Sequence, residues 1–140
     1  MKKIITLLLA AICIPLHAAD FPPGSPKFNT SFGEALSSAK KEGKPVIVVF
    51  SASWCPPCQA MKKNVYPSAE VKQLHDKFVW VYLDVDDDAN SKVAQKFKVQ
   101  GIPHVQFLDK NGSALTSQVG GVSPAEFAKL LATVAEKAGK

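Results

Sequence analysis

The sequence is poor in the residues that metal and haem sites consume. It has three cysteines and three histidines in 140 residues. Cys13 and His17 lie in the N-terminal stretch, which leaves Cys55, Cys58, His75 and His104 further along the chain. A structural zinc site takes four protein ligands, normally as paired clusters, and a single C-x-x-C provides two. Covalent haem attachment needs a histidine directly after the second cysteine, and Gln59 stands there. Charge of one sign is scarce as well. Lys and Arg total 17 against 12 Asp and Glu, a formal net charge of +5. That is too mild and too scattered for a nucleic-acid surface. No apolar run reaches the ~20 residues that span a bilayer. No internal repeat or low-complexity tract stands out. "DVDDDAN", from Asp84, resembles a calcium loop only superficially, with Ala89 where such a loop needs Gly and Gln95 where it needs Glu. It reads as a solvated loop leading into a helix N-terminus, which favours negative charge.

The chain opens on "MKKIITLLLAAICIPLHAAD", the pattern of a secretory signal peptide over residues 1–19. Lys2 and Lys3 form the positive head, Ile4 to Ile14 the apolar run, and Ala18 with Ala19 the cleavage site. A lipoprotein would need a small residue before its cysteine, and Ile12 precedes Cys13. Removal leaves enough chain for one domain with one core. It lowers the formal charge from +5 to +3 by loss of Lys2 and Lys3. It also leaves Cys55 and Cys58 as the only cysteines, in the periplasm or outside the cell, where disulfides persist.

Residues 20–30, with Pro22, Pro23, Gly24 and Pro26, read as an irregular lead-in. A single domain over 31–140 follows. Ser31 and Glu34 form a capping box ahead of Phe32, Ala35, Leu36 and Ala39 at helical spacing, and Gly43 and Pro45 end that helix. "PVIVVFS" is an apolar, β-branched run, the mark of a strand buried on both faces. "CQAMKKNVY" reads as a helix broken near Pro67, and "SAEVKQLHDKF" as a second, capped by Ser68. "VWVYLDV" is a strand, "NSKVAQKF" a short helix, and "HVQFLD" and "ALTSQV" are strands joined by the turn Asp109 to Gly112. The last helix has Ser123 as cap, Pro124 at its first position and Glu126 as capping-box partner. The order α-β-α-α-β-α-β-β-α predicts an α/β fold, a mixed sheet with helices on both faces. Phe50, Phe97 and Phe107 are expected in the core, His75 on the exposed side of a helix, and His104 at the surface.

The cysteine pair sits in "SASWCPPCQAM", directly after the buried strand. As a staple it would close a very short loop, which removes little entropy from the unfolded chain. As a redox pair it is well placed. Cys55 stands at a helix N-terminus, where free N–H groups and the macrodipole favour a thiolate. Cys58 lies one turn inside, less exposed, where it could attack a mixed disulfide formed on Cys55 and release the product.

Trp54-Cys55-Pro56-Pro57-Cys58 after an apolar strand, then "GIPHV", then "VGGVSPAEF", resembles the thioredoxin family from about Phe32 onward. The added "NVYPSAEVKQLHDKF" is similar to exported thioredoxin-like proteins and to the C-terminal thiol domain of transmembrane thiol-disulfide interchange proteins. The resemblance implies the thioredoxin fold and disulfide exchange with protein substrates, with no cofactor and no metal. Cys55 would be the attacking thiol and Cys58 the resolving one. Trp54 would form part of a docking face. Pro103 would be a cis-proline opposite the cysteines, Ile102 would offer backbone hydrogen bonds to an extended substrate, and Gly120 would line the same groove. The protein would act as a monomer and, as a reductase, would draw on a membrane-embedded thiol donor. The rival readings are a dithiol oxidase or isomerase, and a binding module whose disulfide is structural. One departure matters: many relatives carry a buried aspartate six residues before the first cysteine, where this chain has Val49, and the lysine that accompanies it aligns with Tyr82. The proton acceptor for Cys58 is therefore unassigned by the resemblance. Pro56 and Pro57 lack the N–H groups that would hold a Cys55 thiolate, and no histidine lies between the cysteines. A less stabilised thiolate gives a lower potential, nearer the ~−270 mV of thioredoxin than the ~−120 mV of a strong oxidant.

Overall fold

The computed structural model describes residues 21–140; the signal-peptide reading and Cys13 lie outside the described residues. Five strands form one sheet, with five α-helices and a 3-10 turn around it. In chain order the elements are β1 (Phe28–Asn29), α1 (Phe32–Glu42), β2 (Val46–Ser51), α2 (Pro56–Asn64), α3 (Ala69–Lys72), the 3-10 turn His75–Lys77, β3 (Val79–Asp84), α4 (Asp88–Lys96), β4 (His104–Leu108), β5 (Ala114–Val119) and α5 (Pro124–Ala138). The strand order is β1-β3-β2-β4-β5. Strands β1, β3 and β2 run parallel, and β4 and β5 are antiparallel to their neighbours. The expected mixed sheet is present.

Strand β2 is central, and every residue in it is buried. Its side chains alternate between two cores, as a pleated strand with both faces covered requires. Ile47 and Val49 pack with Met61 of α2 and Val65 at its C-cap, with Val71 of α3 and with Phe127, Leu131 and Val134 of α5. Val46, Val48 and Phe50 pack with Ala35 and Ala39 of α1 and Ala94 of α4. Helices therefore cover both faces, α2, α3 and α5 on one and α1 and α4 on the other. Phe50 and Phe107 are fully buried, while Phe97 is half-buried against the second core.

Local chemistry sets the helix starts. Ser31, Ser68, Asp87 and Ser123 each accept a backbone N–H at the N-cap of α1, α3, α4 and α5. The capping box of Ser123 and Glu126 is complete in both directions. At α1 only the half from Glu34 N–H to Ser31 Oγ is formed.

Three features differ from the sequence reading. The lead-in contributes a strand: Phe28 and Asn29 pair with Trp80 and Val81 of β3, and the Asn29 amide donates to the Trp80 carbonyl at 2.9 Å. The helix expected over Ser68 to Phe78 is a single turn, α3, followed by the 3-10 turn. His75 is accordingly half-buried rather than on an exposed helix face: its ring meets Trp80 edge-on, and its Nε2 lies 2.7 Å from the Tyr66 carbonyl oxygen. His104 is buried, not at the surface, because β4 lies between β2 and β5. Its ring stands edge-on to Phe50 and its Nε2 lies 3.1 Å from Gln106 Oε1.

Candidate active site

Strand β2 ends at Ser51, and four residues later α2 begins with Cys55 as its N-cap. Cys55 and Cys58 form a disulfide with Cα atoms 5.2 Å apart. Among the described residues, Cys55 is the only N-cap of the five α-helices whose side chain holds no backbone N–H. Pro56 and Pro57 occupy the first two helical positions, so the N–H a cap would normally take from the second is missing. The Gln59 amide ties the loop to the helix by donating to the Ala52 carbonyl at 3.0 Å.

The disulfide is sunk into the surface. Cys55 is 4% exposed and Cys58 2%, in a small cluster with Ala52, Val85 and Ile102. Cys58 is the more buried of the two. Among the described residues the large apolar side chains most open to solvent are Trp54, next to Cys55, at 65%, and Val119, at the end of β5, at 57%.

The residues singled out from the sequence meet at this end of the sheet. The Ile102 carbonyl oxygen lies 3.8 Å from Cys55 Sγ. The Ile102–Pro103 peptide is cis, and Pro103 leads directly into β4. The Gly120 N–H donates to the Pro103 carbonyl at 2.9 Å, which fixes the loop after β5 beside this segment. Gly120 has φ +85, a conformation a side chain would strain, although a Cβ there would meet open space. Gly121 follows, and a Cβ on it would reach Pro57 at 4.0 Å. Trp54 turns the other way: its indole N–H donates to Asp86 Oδ2 at 2.8 Å. His104, two residues beyond Ile102, faces the α1 and α4 side and takes no part.

Sequence reasoning missed Asp86 and the hydroxyl pair of Ser51 and Tyr82. "DVDDDAN" was legible as loop and helix start, but which aspartate reaches Trp54 depends on how that loop folds. Asp84 accepts the Asp86 N–H, Asp87 caps α4, and Asp86 is left to face the indole. The Tyr82 hydroxyl donates to Ser51 Oγ across the β2–β3 pair. Burial pushes the Tyr82 phenol above its ordinary range, the Ser51 hydrogen bond partly offsets this, and the Asp84 charge adds to the rise. Burial also pushes up the Tyr66 phenol, whose hydroxyl has no hydrogen-bond partner.

This geometry, a disulfide at the start of the helix that follows a central buried strand, has known counterparts. Residues 32–135 match the family model described as a thioredoxin-like domain. The chain is 38% identical over 91 residues to "Thioredoxin-like protein HCF164, chloroplastic" of Oryza sativa subsp. japonica, covering 65% of this chain and 32% of that protein. It is 32% identical over 126 residues to "Thiol:disulfide interchange protein TxlA homolog" of Synechocystis sp., covering 84% of this chain and 68% of that protein. A solved thioredoxin from Thermus thermophilus superposes with a TM-score of 0.74 at 30% identity, covering 82% of this chain and 91% of that one. The chain thus spans about a third of the length of the rice relative and two thirds of the Synechocystis one. The fold, the matched residues and these likenesses agree: the chain belongs to the thioredoxin-like family.

Proposed function

We propose that this protein is an exported thiol-disulfide oxidoreductase that reduces disulfides in protein substrates through Cys55 and Cys58. The observation that carries this reading is the disulfide itself, seated at the N-terminus of α2 with Cys55 against the Ile102 backbone and an exposed Trp54 beside it. In the reduced protein Cys55 attacks one sulfur of a substrate disulfide. A Cys55–substrate bond forms and the other substrate sulfur leaves as a thiolate. Cys58 then attacks Cys55 Sγ, the Cys55–Cys58 bond closes, and the second substrate sulfur is released. Two electrons pass from the protein to the substrate.

Trp54, Ile102, Pro103 and Gly120 form the docking groove in this reading. The Ile102 backbone pairs with an extended substrate segment, and Trp54 and Val119 flank it. The signal-peptide pattern of residues 1–19 supports export to the periplasm or beyond, with 20–30 as lead-in and 31–140 as the working domain. A reductase in an oxidising compartment must be recharged, which calls for a thiol donor embedded in the membrane. The protein works as a monomer, its partners being protein thiols and disulfides.

The test is Cys58→Ser. With the resolving thiol gone, substrate proteins are expected to accumulate as covalent adducts on Cys55, dissociated by dithiothreitol. No adducts with Cys58→Ser, or adducts formed through Cys58 when Cys55 is replaced, would overturn the assignment.

A further inference from the structure

A resolving thiol has to lose its proton before it attacks, and Cys58 is 2% exposed. It packs in an apolar cluster with Ala52, Cys55, Val85 and Ile102. Val49, on the central strand facing α2, is apolar and fully buried. Among the described residues the buried side chains that carry oxygen or nitrogen are Ser51, His104, Gln106, Tyr66 and Trp80; the Tyr66 phenol packs among Phe28, Trp80 and Phe127, and the Trp80 indole donates to the His75 carbonyl. His104 pairs with Phe50 and Gln106 with Val48, so both face the α1 and α4 core, across the sheet from α2. Ser51 continues the alternation of Ile47 and Val49 and faces α2.

Ser51 is not alone there. Its Oγ is bonded to the hydroxyl of Tyr82, which is half-buried. Tyr82 lines an open cavity of about 300 Å³ together with Gln59, Lys62, Asp84 and Asp87. Gln59 follows Cys58, and Lys62 lies four residues after it, on the same face of α2. The Lys62 ammonium sits 5.8 Å from the centre of the Tyr82 ring. The two hydroxyls therefore lie on the side of the sheet that α2 covers, and the cavity connects the outer one to solvent.

We propose that Ser51 and Tyr82 form the path by which the Cys58 proton reaches water, in place of an ionised base. This rests on the reading of Cys58 as the resolving thiol. The Cys58 thiol gives its proton to Ser51 Oγ, the Ser51 proton passes to Tyr82 Oη, and the Tyr82 proton passes to water in the cavity. Both hydroxyls end as they began, since each can donate and accept. The Cys58 thiolate then bonds to Cys55 Sγ, the Cys55–substrate bond breaks, and the leaving substrate thiolate takes a proton from water. In the disulfide form Cys58 has no proton to give and makes no hydrogen bond to Ser51, whose Oγ is held by Tyr82; the proposed link is one of the reduced and mixed-disulfide states. Ser51 and Tyr82 act through Cys58 and are positioning residues.

Acid-quenched single-turnover exchange with a peptide disulfide, its halves distinguishable by mass, separates formation of the Cys55 adduct from its resolution. Tyr82→Phe and Ser51→Ala are expected to slow resolution roughly tenfold, below the full range of ~10²–10⁴ for general acid–base groups because water still reaches part of the path. Adduct formation keeps its rate, and Ser51→Thr, which restores a hydroxyl, recovers most of the lost rate. Resolution at the parent rate in both variants overturns the proposal. So does an equal fall in both steps, which marks a structural role, or a Ser51→Thr variant no faster than Ser51→Ala. Absence of any adduct in the parent and in Cys58→Ser would instead remove the exchange reading itself, and this path with it.

Discussion

Cys55 differs from every other α-helix N-cap among the described residues in what its neighbours deny it. Serines and an aspartate hold N–H groups at the starts of α1, α3, α4 and α5, while Pro56 and Pro57 leave α2 without the N–H of its first two positions. Pro57→Ala keeps the helix start and restores one donor in reach of Cys55. A hydrogen bond to a charged group contributes about 1.5–3 kcal/mol, and 1.4 kcal/mol corresponds to about 30 mV for a two-electron couple. The variant is expected to be more oxidising by about 30–60 mV, read by equilibration with a reference dithiol. A potential unchanged or lowered would show that the prolines do not set the thiolate's stability. At this scale the sequence was most informative about the cysteines, since their place after an apolar strand and before a helix is a local pattern. It could not reveal Ser51 and Tyr82, because they meet only through the β2–β3 register, where Ser51 pairs with Asp84 and Val49 with Tyr82. The two tyrosines, Tyr66 and Tyr82, look alike in sequence, yet one hydroxyl is orphaned and the other bonded.

At the level of elements, the caps were legible and the short pieces were not. Ser123, Pro124 and Glu126 announce α5, and the structure completes both arms of the box. The Ser123 hydrogen bonds hold the Glu126 carboxyl below its ordinary value of 4.5. A depressed folded-state value means that the contribution to stability is present above the unfolded value and is lost as pH falls through the folded one. Ser123→Ala is therefore expected to destabilise the protein at pH 7, by about 1 kcal/mol for a lost serine cap. The difference between parent and variant narrows as pH falls from the ordinary value of 4.5 through the lowered folded-state one. Urea midpoints at pH 7 and pH 3 would measure this, and a gap that widens in acid would contradict it. By contrast β1 is two residues long and carries no alternation to detect. It exists because Phe28 inserts among Phe21, Tyr66, Trp80 and Tyr82, a purely tertiary cause. The break of the Ser68–Phe78 segment into α3 and a 3-10 turn is similar. Trp80 donates its indole N–H to the His75 carbonyl at 3.1 Å, and His75 reaches the Tyr66 carbonyl, which fixes the turn from outside the segment.

At the scale of the whole molecule, the sheet presents one reactive end. The C-terminal ends of β2 and β3, the start of β4 and the loop after β5 converge on a disulfide that is nearly closed to solvent yet adjoins the exposed Trp54. The α/β architecture followed from the order of elements, and both cores from the apolar run of β2. For the direction of electron flow the sequence offers only the local sign of Pro56 and Pro57, because that direction depends on the free-energy difference between dithiol and disulfide. The reduction potential of the Cys55–Cys58 couple in the purified protein, from equilibration against graded dithiol–disulfide buffers, tests the account most directly. A working reductase predicts a single two-electron couple nearer −270 mV than −120 mV, on the scale where thioredoxin lies at about −270 mV. A value above about −180 mV would make the pair an oxidant or isomerase, and one below about −300 mV would make it a structural staple; either would contradict the account.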